Sequence, residues 1–174
     1  PDRYDKRFAH CDVLVVGGGL AGLTAALAAG RSGARVMLCD EQAEPGGWLL
    51  ASDESIDGQS AAQWVARALA ELASMAEVTV LPRTTAFGYY NHNHVALVER
   101  VGDHRAEQDG RLPRERLWQV RAGRVVLATG AHERPLVFAD NDRPGIMLAH
   151  AARAYALRYG ALAASAASVP VPTS

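Results

Sequence analysis

Apolar positions along the chain come in two rhythms, short unbroken runs and helix-spaced stripes, and their alternation predicts an α/β architecture. Residues 11–16 form an apolar run that ends directly in Gly17-Gly18-Gly19, the pattern of a buried parallel strand entering a tight turn. Residues 20–31 are rich in Ala and Leu, strong helix formers, and Gly33 follows as a stop. Residues 35–39 read as a second strand. Together they predict a β-α-β unit whose right-handed crossover makes the two strands parallel neighbours.

Residues 43–58, with Pro45, Gly46, Gly47 and Gly58, predict a loop whose apolar part is Trp48-Leu49-Leu50. In residues 60–75, Trp64, Val65, Ala68, Leu69 and Leu72 recur at helical spacing, so one stripe of that helix packs on the sheet. Residues 78–81 give a third strand. Beyond them the β-prone runs 86–90, 95–101 and 117–120 predict an antiparallel meander, and the charged stretch 102–116 a solvated excursion. Residues 124–128 are a final buried strand running into Thr129-Gly130. A polar loop over 137–144 and a helix over 146–159 follow, then an Ala/Ser/Pro-rich stretch, 161–174, expected to be a disordered tail or linker. The expected organisation is an N-terminal extension (1–10), a Rossmann-like FAD/NAD-binding domain (11–160) and that tail.

Composition narrows the function classes. With 174 residues, 49% of them hydrophobic, the chain has room for one sizeable core. A formal net charge of -1 supplies no basic field for nucleic acid or an anionic membrane, and the apolar runs stop well short of the roughly 18–20 residues of a membrane span. Neither nucleic acid nor membrane is an expected partner. No targeting segment is visible, which makes the cytoplasm the expected compartment, and the opening Pro1 suits a processed or excised piece. Cys11 and Cys39 each sit in an apolar β-like run and are expected as buried packing residues.

The chemistry concentrates at the first strand-to-helix junction. Gly17-Gly18-Gly19-Leu20-Ala21-Gly22 satisfies the six-residue glycine fingerprint where the physics requires it. Gly17 permits the sharp turn, Gly19 lets backbone approach a pyrophosphate, and Gly22 allows close helix–strand contact. The helix starting at Leu20 turns unpaired N–H groups and a positive dipole end toward the phosphates. An acidic residue ending the second strand is an independent requirement, met by Asp40, with Glu41 as a substitute, a helper or an exposed loop charge. A carboxylate there accepts ribose hydroxyls and repels a 2′-phosphate, which favours NAD or FAD over NADP. Gly46-Gly47 would serve either a close backbone approach to the cofactor or a simple turn. Thr129-Gly130 would place a flexible, hydroxyl-bearing turn at the ligand-binding edge of the sheet or simply end the strand. His132, Glu133 and Arg134 stand nearby, Arg134 as a phosphate contact or a surface ion pair. His92 and His94 would share one strand face, without further ligands at metal spacing; no metal site and no catalytic residue are expected.

In order, Val15-Val16-Gly17-Gly18-Gly19-Leu20-Ala21-Gly22, Asp40-Glu41-Gln42, Gly46-Gly47, a meander and Ala128-Thr129-Gly130-Ala131 resemble the first nucleotide-binding domain of glutathione-reductase-like flavoproteins. A narrower similarity rests on Thr84-Thr85-Ala86-Phe87-Gly88-Tyr89-Tyr90, on Ala128 through Pro135, and on Asn141-Asp142-Arg143-Pro144-Gly145-Ile146-Met147-Leu148. These resemble the alpha subunits of heterotetrameric sarcosine oxidases, with subunits of cyanide synthase and opine oxidase more distantly similar. The resemblance covers roughly residues 2–160 and implies an incomplete glutathione-reductase-like domain: a Rossmann-like parallel sheet with helices and an inserted antiparallel meander.

The family implies a complex that demethylates sarcosine oxidatively. Its substrate-oxidising FAD belongs to the beta subunit, this domain of the alpha subunit holds NAD, and an FMN lies at the alpha–beta interface. Carried over by motif, Gly17, Gly19 and Gly22 would face the pyrophosphate, Asp40 the adenosine ribose, and the backbone of Thr85 or Ala86 the adenine, with Ala128-Thr129-Gly130 closing the site. The isolated chain is then not expected to be catalytic. Two other readings are a self-contained FAD-dependent oxidoreductase and a noncatalytic assembly module.

Overall fold

The computed structural model describes residues 3–102 and 112–161. Most of the charged excursion, over 103–111, and all but the first residue of the 161–174 tail lie outside the described residues.

Six strands form one sheet in the order β5-β2-β1-β8-β7-β6. Its parallel half consists of β1 (Tyr4–Val16), β2 (Val36–Cys39), β5 (Val78–Leu81) and β8 (Glu115–Leu127). Val13 to Val16 pair with Val36 to Cys39, which pair in turn with Val78 to Leu81. The antiparallel half is β8 against β7 (His94–Arg100) and β7 against β6 (Thr84–Tyr90). A separate two-residue hairpin, β3 (Ser55–Ile56) with β4 (Gln59–Ser60), precedes the second helix.

Burial on both faces explains why the end of β1 and all of β2 read as unbroken apolar runs. The stretch 124–128, expected as a buried strand, is instead only partly covered, with Leu127 63% exposed at the end of β8. All four residues of β2 are buried, and they alternate between two cores. Val36 and Leu38 join Val15 beneath α1 (Leu20–Arg31) and α2 (Ala61–Ser74). Met37 and Cys39 join Leu14 and Val16 on the other face, where Val95, Leu97 and Val120 of the meander cover them. Leu23 and Leu72 are fully buried between the two helices and the sheet; each contributes about 1.5–3 kcal/mol. Ser60 caps α2 with a complete capping box: its hydroxyl accepts the Gln63 N–H and the Gln63 side chain accepts the Ser60 N–H.

Two strands are longer than the pattern predicts. β1 begins at Tyr4, and its first part, polar and mostly exposed, pairs from Tyr4↔Glu115 to His10↔Arg121 with β8. The runs at 117–120 and 124–128 are one strand, not two, because the Arg121-Ala122-Gly123-Arg124 stretch continues the ladder instead of turning. A Cβ at Gly123 would lie 2.9 Å from the carbonyl oxygen of Asp12, so this glycine serves close strand approach. The loop at 43–58 contains a 3₁₀ turn, Gly47–Ala51, and the last helix, α3, spans Ala149–Tyr159.

Candidate functional site: a glycine turn at the sheet edge

Where β1 ends, the chain turns through Gly17 at φ 103° into α1. A side chain at Gly17 would collide with the carbonyl of Ala128, and one at Gly22 with the carbonyl of Gly17. Both glycines are there because backbone occupies the space a Cβ needs. Gly19 differs. It has ordinary φ and ψ, and a Cβ built on it would meet nothing within 4 Å. The turn therefore exposes a smooth backbone face at the start of α1, which has no side-chain cap on its N-terminal N–H groups.

Asp40 ties this turn to β2. Its carboxylate, 8% exposed, accepts the Gly18 N–H through Oδ2 at 2.5 Å and the Gln42 N–H through Oδ1 at 2.7 Å. Its backbone extends the connection: the Asp40 carbonyl accepts the Thr84 N–H at 2.7 Å, and the Gln42 carbonyl accepts the Arg83 N–H at 2.9 Å. Thus the start of β6, with Thr85 and Ala86 partly buried, is pinned beside Asp40-Glu41-Gln42. Glu41 is exposed, and its carbonyl accepts Arg100 Nη2 at 2.9 Å. On the other side of the turn, the Ala128 N–H donates to the Val16 carbonyl at 2.8 Å, and Gly130 follows at φ 73°.

Gly46 and Gly47 adopt φ 144° and 51°, and a Cβ on Gly47 would stand 3.1 Å from the Gly19 Cα. The second glycine pair therefore lies directly on the first. Pro45, not anticipated as part of the site, packs at Gly18, where a Cβ would lie 2.9 Å from the proline ring. Its proximity to two glycines was the available signal. Five sequence-distant groups, 17–22, 40–42, 46–47, 84–86 and 128–130, thus converge at one sheet edge.

Arg134 is exposed on the segment beyond Gly130, and no hydrogen bond or ion pair among the described residues brings it to the turn. Glu133 is engaged with α3, its Oε2 accepting the His150 N–H at 2.9 Å in the first turn of that helix. His92 and His94 do not share a strand face as expected: His92 sits at φ 60° in the tight turn between β6 and β7, while His94 opens β7. Consecutive positive φ values at His92 and Asn93 place the chain reversal there. Among the described residues no group of three or more His, Cys, Asp or Glu is placed to hold a metal. Cys11 and Cys39 are buried free thiols, as expected of packing residues. Burial pushes Cys11 up to about 11, with Asp12 adding to it, and Cys39 up to about 12, with the neighbouring Asp40 charge adding to it.

This arrangement agrees with a match of residues 11–169 to the family model described as pyridine nucleotide-disulphide oxidoreductase. The chain belongs to the pyridine nucleotide-disulphide oxidoreductase family. Within it, the chain is 57% identical over 160 residues to the alpha subunit of sarcosine oxidase from Rhizobium meliloti (strain 1021), covering 92% of this chain and 16% of that protein. An opine oxidase subunit of Agrobacterium tumefaciens (strain Ach5) is 33% identical over 159 residues, 88% of this chain and 30% of the relative. Both of these narrower resemblances read from the motifs are therefore present, in the expected order of distance. Among solved structures, L-proline dehydrogenase from P.horikoshii superposes with a TM-score of 0.71 at 23% identity over 94% of this chain and 31% of that one, a likeness of fold. The family implies a dinucleotide, and the residues present fit one: open backbone at Gly19, an uncapped helix start and a fixed carboxylate one strand away.

Proposed function

We propose that this family member binds the ADP half of NAD at the Gly17–Gly22 turn and acts as the nucleotide-binding part of a protein like the sarcosine oxidase alpha subunit. The observation that carries this is the Asp40 carboxylate, fixed by the Gly18 and Gln42 N–H groups at the end of β2. Each of its oxygens keeps lone-pair capacity for a ribose hydroxyl, and its charge opposes a 2′-phosphate. In this reading Leu20 and Ala21 present α1 N–H groups to the pyrophosphate, Gly47 closes over it, the backbone of Thr85 and Ala86 borders the adenine, and Thr129-Gly130 bounds the far side. NAD, when bound, supplies a nicotinamide that accepts hydride.

FAD is the alternative occupant, in a self-contained oxidoreductase domain. Against a dithiol version of that enzyme stand Cys11 and Cys39, the only two cysteines of the sequence, both buried with raised thiol pKa values. The similarity to the sarcosine oxidase alpha subunit supports other subunits as partners. In this reading the partners include a beta subunit, an FMN lies at the interface with it, and the compartment is the cytoplasm. No helix among the described residues is long and apolar enough to cross a membrane. Mass spectrometry of nucleotide released after gentle purification tests the reading: NAD supports it, FAD favours the alternative, and a chain that neither retains nor takes up either is an assembly module.

A further inference from the structure

Helix α3 lies against the segment that carries Gly46 and Gly47, and none of its residues is buried. Polar and ring contacts hold it. Arg153 donates through Nε to the carbonyl of Ala51 at 3.1 Å and through Nη2 to Asp53 at 2.6 Å, and its guanidinium stands 5.2 Å from the centre of the Trp48 ring. The His150 imidazole stacks on the same indole at 4.1 Å. Farther along α3, Arg158 pairs with Glu44 at 3.0 Å. These contacts bracket the two glycines, from Glu44 before them to Asp53 after them.

The inner side of that segment is the part that meets the phosphate turn. Two adjacent glycines have wide conformational freedom, and only their neighbours can fix them. Leu49 and Ala51 anchor the segment from within the core, and α3 grips it from outside. A loop held in its bound shape before the ligand arrives binds more tightly, because the ordering cost is already met. A helix that docks without burying a side chain opens at low free energy, so its docking is an equilibrium that a ligand can shift.

We propose that α3 sets nucleotide affinity by clamping the 44–53 segment, with Trp48 and Arg153 as positioning residues that hold Gly46-Gly47 against Gly19. The proposal rests on the nucleotide-binding reading above. By reciprocity, nucleotide must strengthen α3 docking by the factor that docking strengthens nucleotide binding.

The test is calorimetric titration of the purified chain with NAD and with FAD, joined to amide hydrogen exchange over 149–159. Arg153→Ala should weaken whichever nucleotide the parent binds by about 5- to 20-fold, and Arg153→Lys should recover part of that by restoring a donor to Asp53. Saturating nucleotide should slow exchange across α3 in the parent and have little effect in Arg153→Ala. Arg31→Ala, which removes the Glu71 pair between α1 and α2, should leave affinity unchanged. If Arg153→Ala does not fold, Arg158→Gln, which breaks the Glu44 pair and, within α3, the contact with the Tyr159 ring, should still weaken binding about threefold. Equal affinities across parent and α3 variants would overturn the proposal, as would α3 exchange indifferent to nucleotide. A parent that binds neither nucleotide overturns the nucleotide reading first and this one with it, before any variant is made.

Discussion

Asp40 Oδ2 accepts the Gly18 N–H at 2.5 Å across 22 positions of sequence, which locks the glycine turn to the end of β2. One buried carboxylate thus has two tasks, holding the turn's shape and facing the proposed ribose. The tasks separate experimentally. Asp40→Ala leaves the Gly18 and Gln42 N–H groups without their acceptor, so unfolding free energy should fall by about 1–3 kcal/mol, read by urea denaturation. NAD affinity should fall as well, and less so for an analogue lacking the adenosine 2′-hydroxyl. If both ligands lose affinity equally, Asp40 acts on the turn and not on that hydroxyl.

Gly19 and Gly22 predict opposite outcomes for nominally similar substitutions. Gly19→Val adds its side chain to open space, so thermal stability should change little, while nucleotide binding should be lost because that space is the proposed pyrophosphate path. Gly22→Ala drives a Cβ into the Gly17 carbonyl and should destabilise the fold itself. Thermal melting paired with titration calorimetry checks both; a Gly19→Val protein that binds NAD like the parent would remove the proposed phosphate site.

The two buried cysteines give a pH dependence of definite sign. Their folded pKa values, raised to about 11 for Cys11 and about 12 for Cys39, exceed the ordinary value of 9.0 expected when the chain unfolds. Above pH 9 the unfolded chain therefore releases thiol protons that the folded chain keeps, and stability falls as pH rises from 9 toward 11. Well below pH 9 both states are protonated and the thiols contribute no slope. Urea midpoints from pH 8 to 10.5 should show the decline, and Cys39→Ala should flatten it. At pH 8 a disulfide-exchange reagent should leave both thiols unmodified until the protein is denatured.

The readability of this fold followed burial. The strand–turn–helix at residues 11–31 was legible because a two-sided buried strand, a glycine turn and a Leu/Ala helix each leave a separate mark. Tyr4 to His10 was not: Asp5, Lys6 and Arg7 resemble a solvated tail, and only their partners across the sheet, such as Arg116 bonded to Asp5 at 2.9 Å, hold them in a strand. The same holds at the site. Glycines and Asp40 announce themselves through local backbone needs, whereas the grip of Arg153 on Trp48 spans about a hundred residues and has no local pattern to betray it.

The final prediction concerns activity: the isolated chain, supplied separately with NAD, FAD or FMN under anaerobic conditions, should not oxidise sarcosine. Oxidation requires a hydride acceptor held against the substrate in a closed pocket, with groups that orient the amine and take its proton. The groups gathered here, the glycine turn, Asp40, Gly47 and Thr129-Gly130, are backbone donors and a tethered carboxylate suited to the ADP end of a dinucleotide. Beyond them, Glu133 is committed to the first turn of α3, while His132 and Arg134 stand exposed on an open segment. A cavity of about 230 Å³ does exist between Cys11, Met37, Thr79 and Trp118, but Arg35 and Glu77 mark it as the opposite edge of the parallel sheet, where strands β2 and β5 begin. That cavity is lined by His10 as well, but it lies at the far end of the strands from the glycine turn, so its polar groups do not meet the proposed cofactor site. Absorbance of each cofactor should therefore stay constant on addition of sarcosine, while NAD still binds by calorimetry. Sustained cofactor reduction that disappears in Gly19→Val would show that this chain carries the chemistry itself, and would make the self-contained flavoenzyme the correct reading.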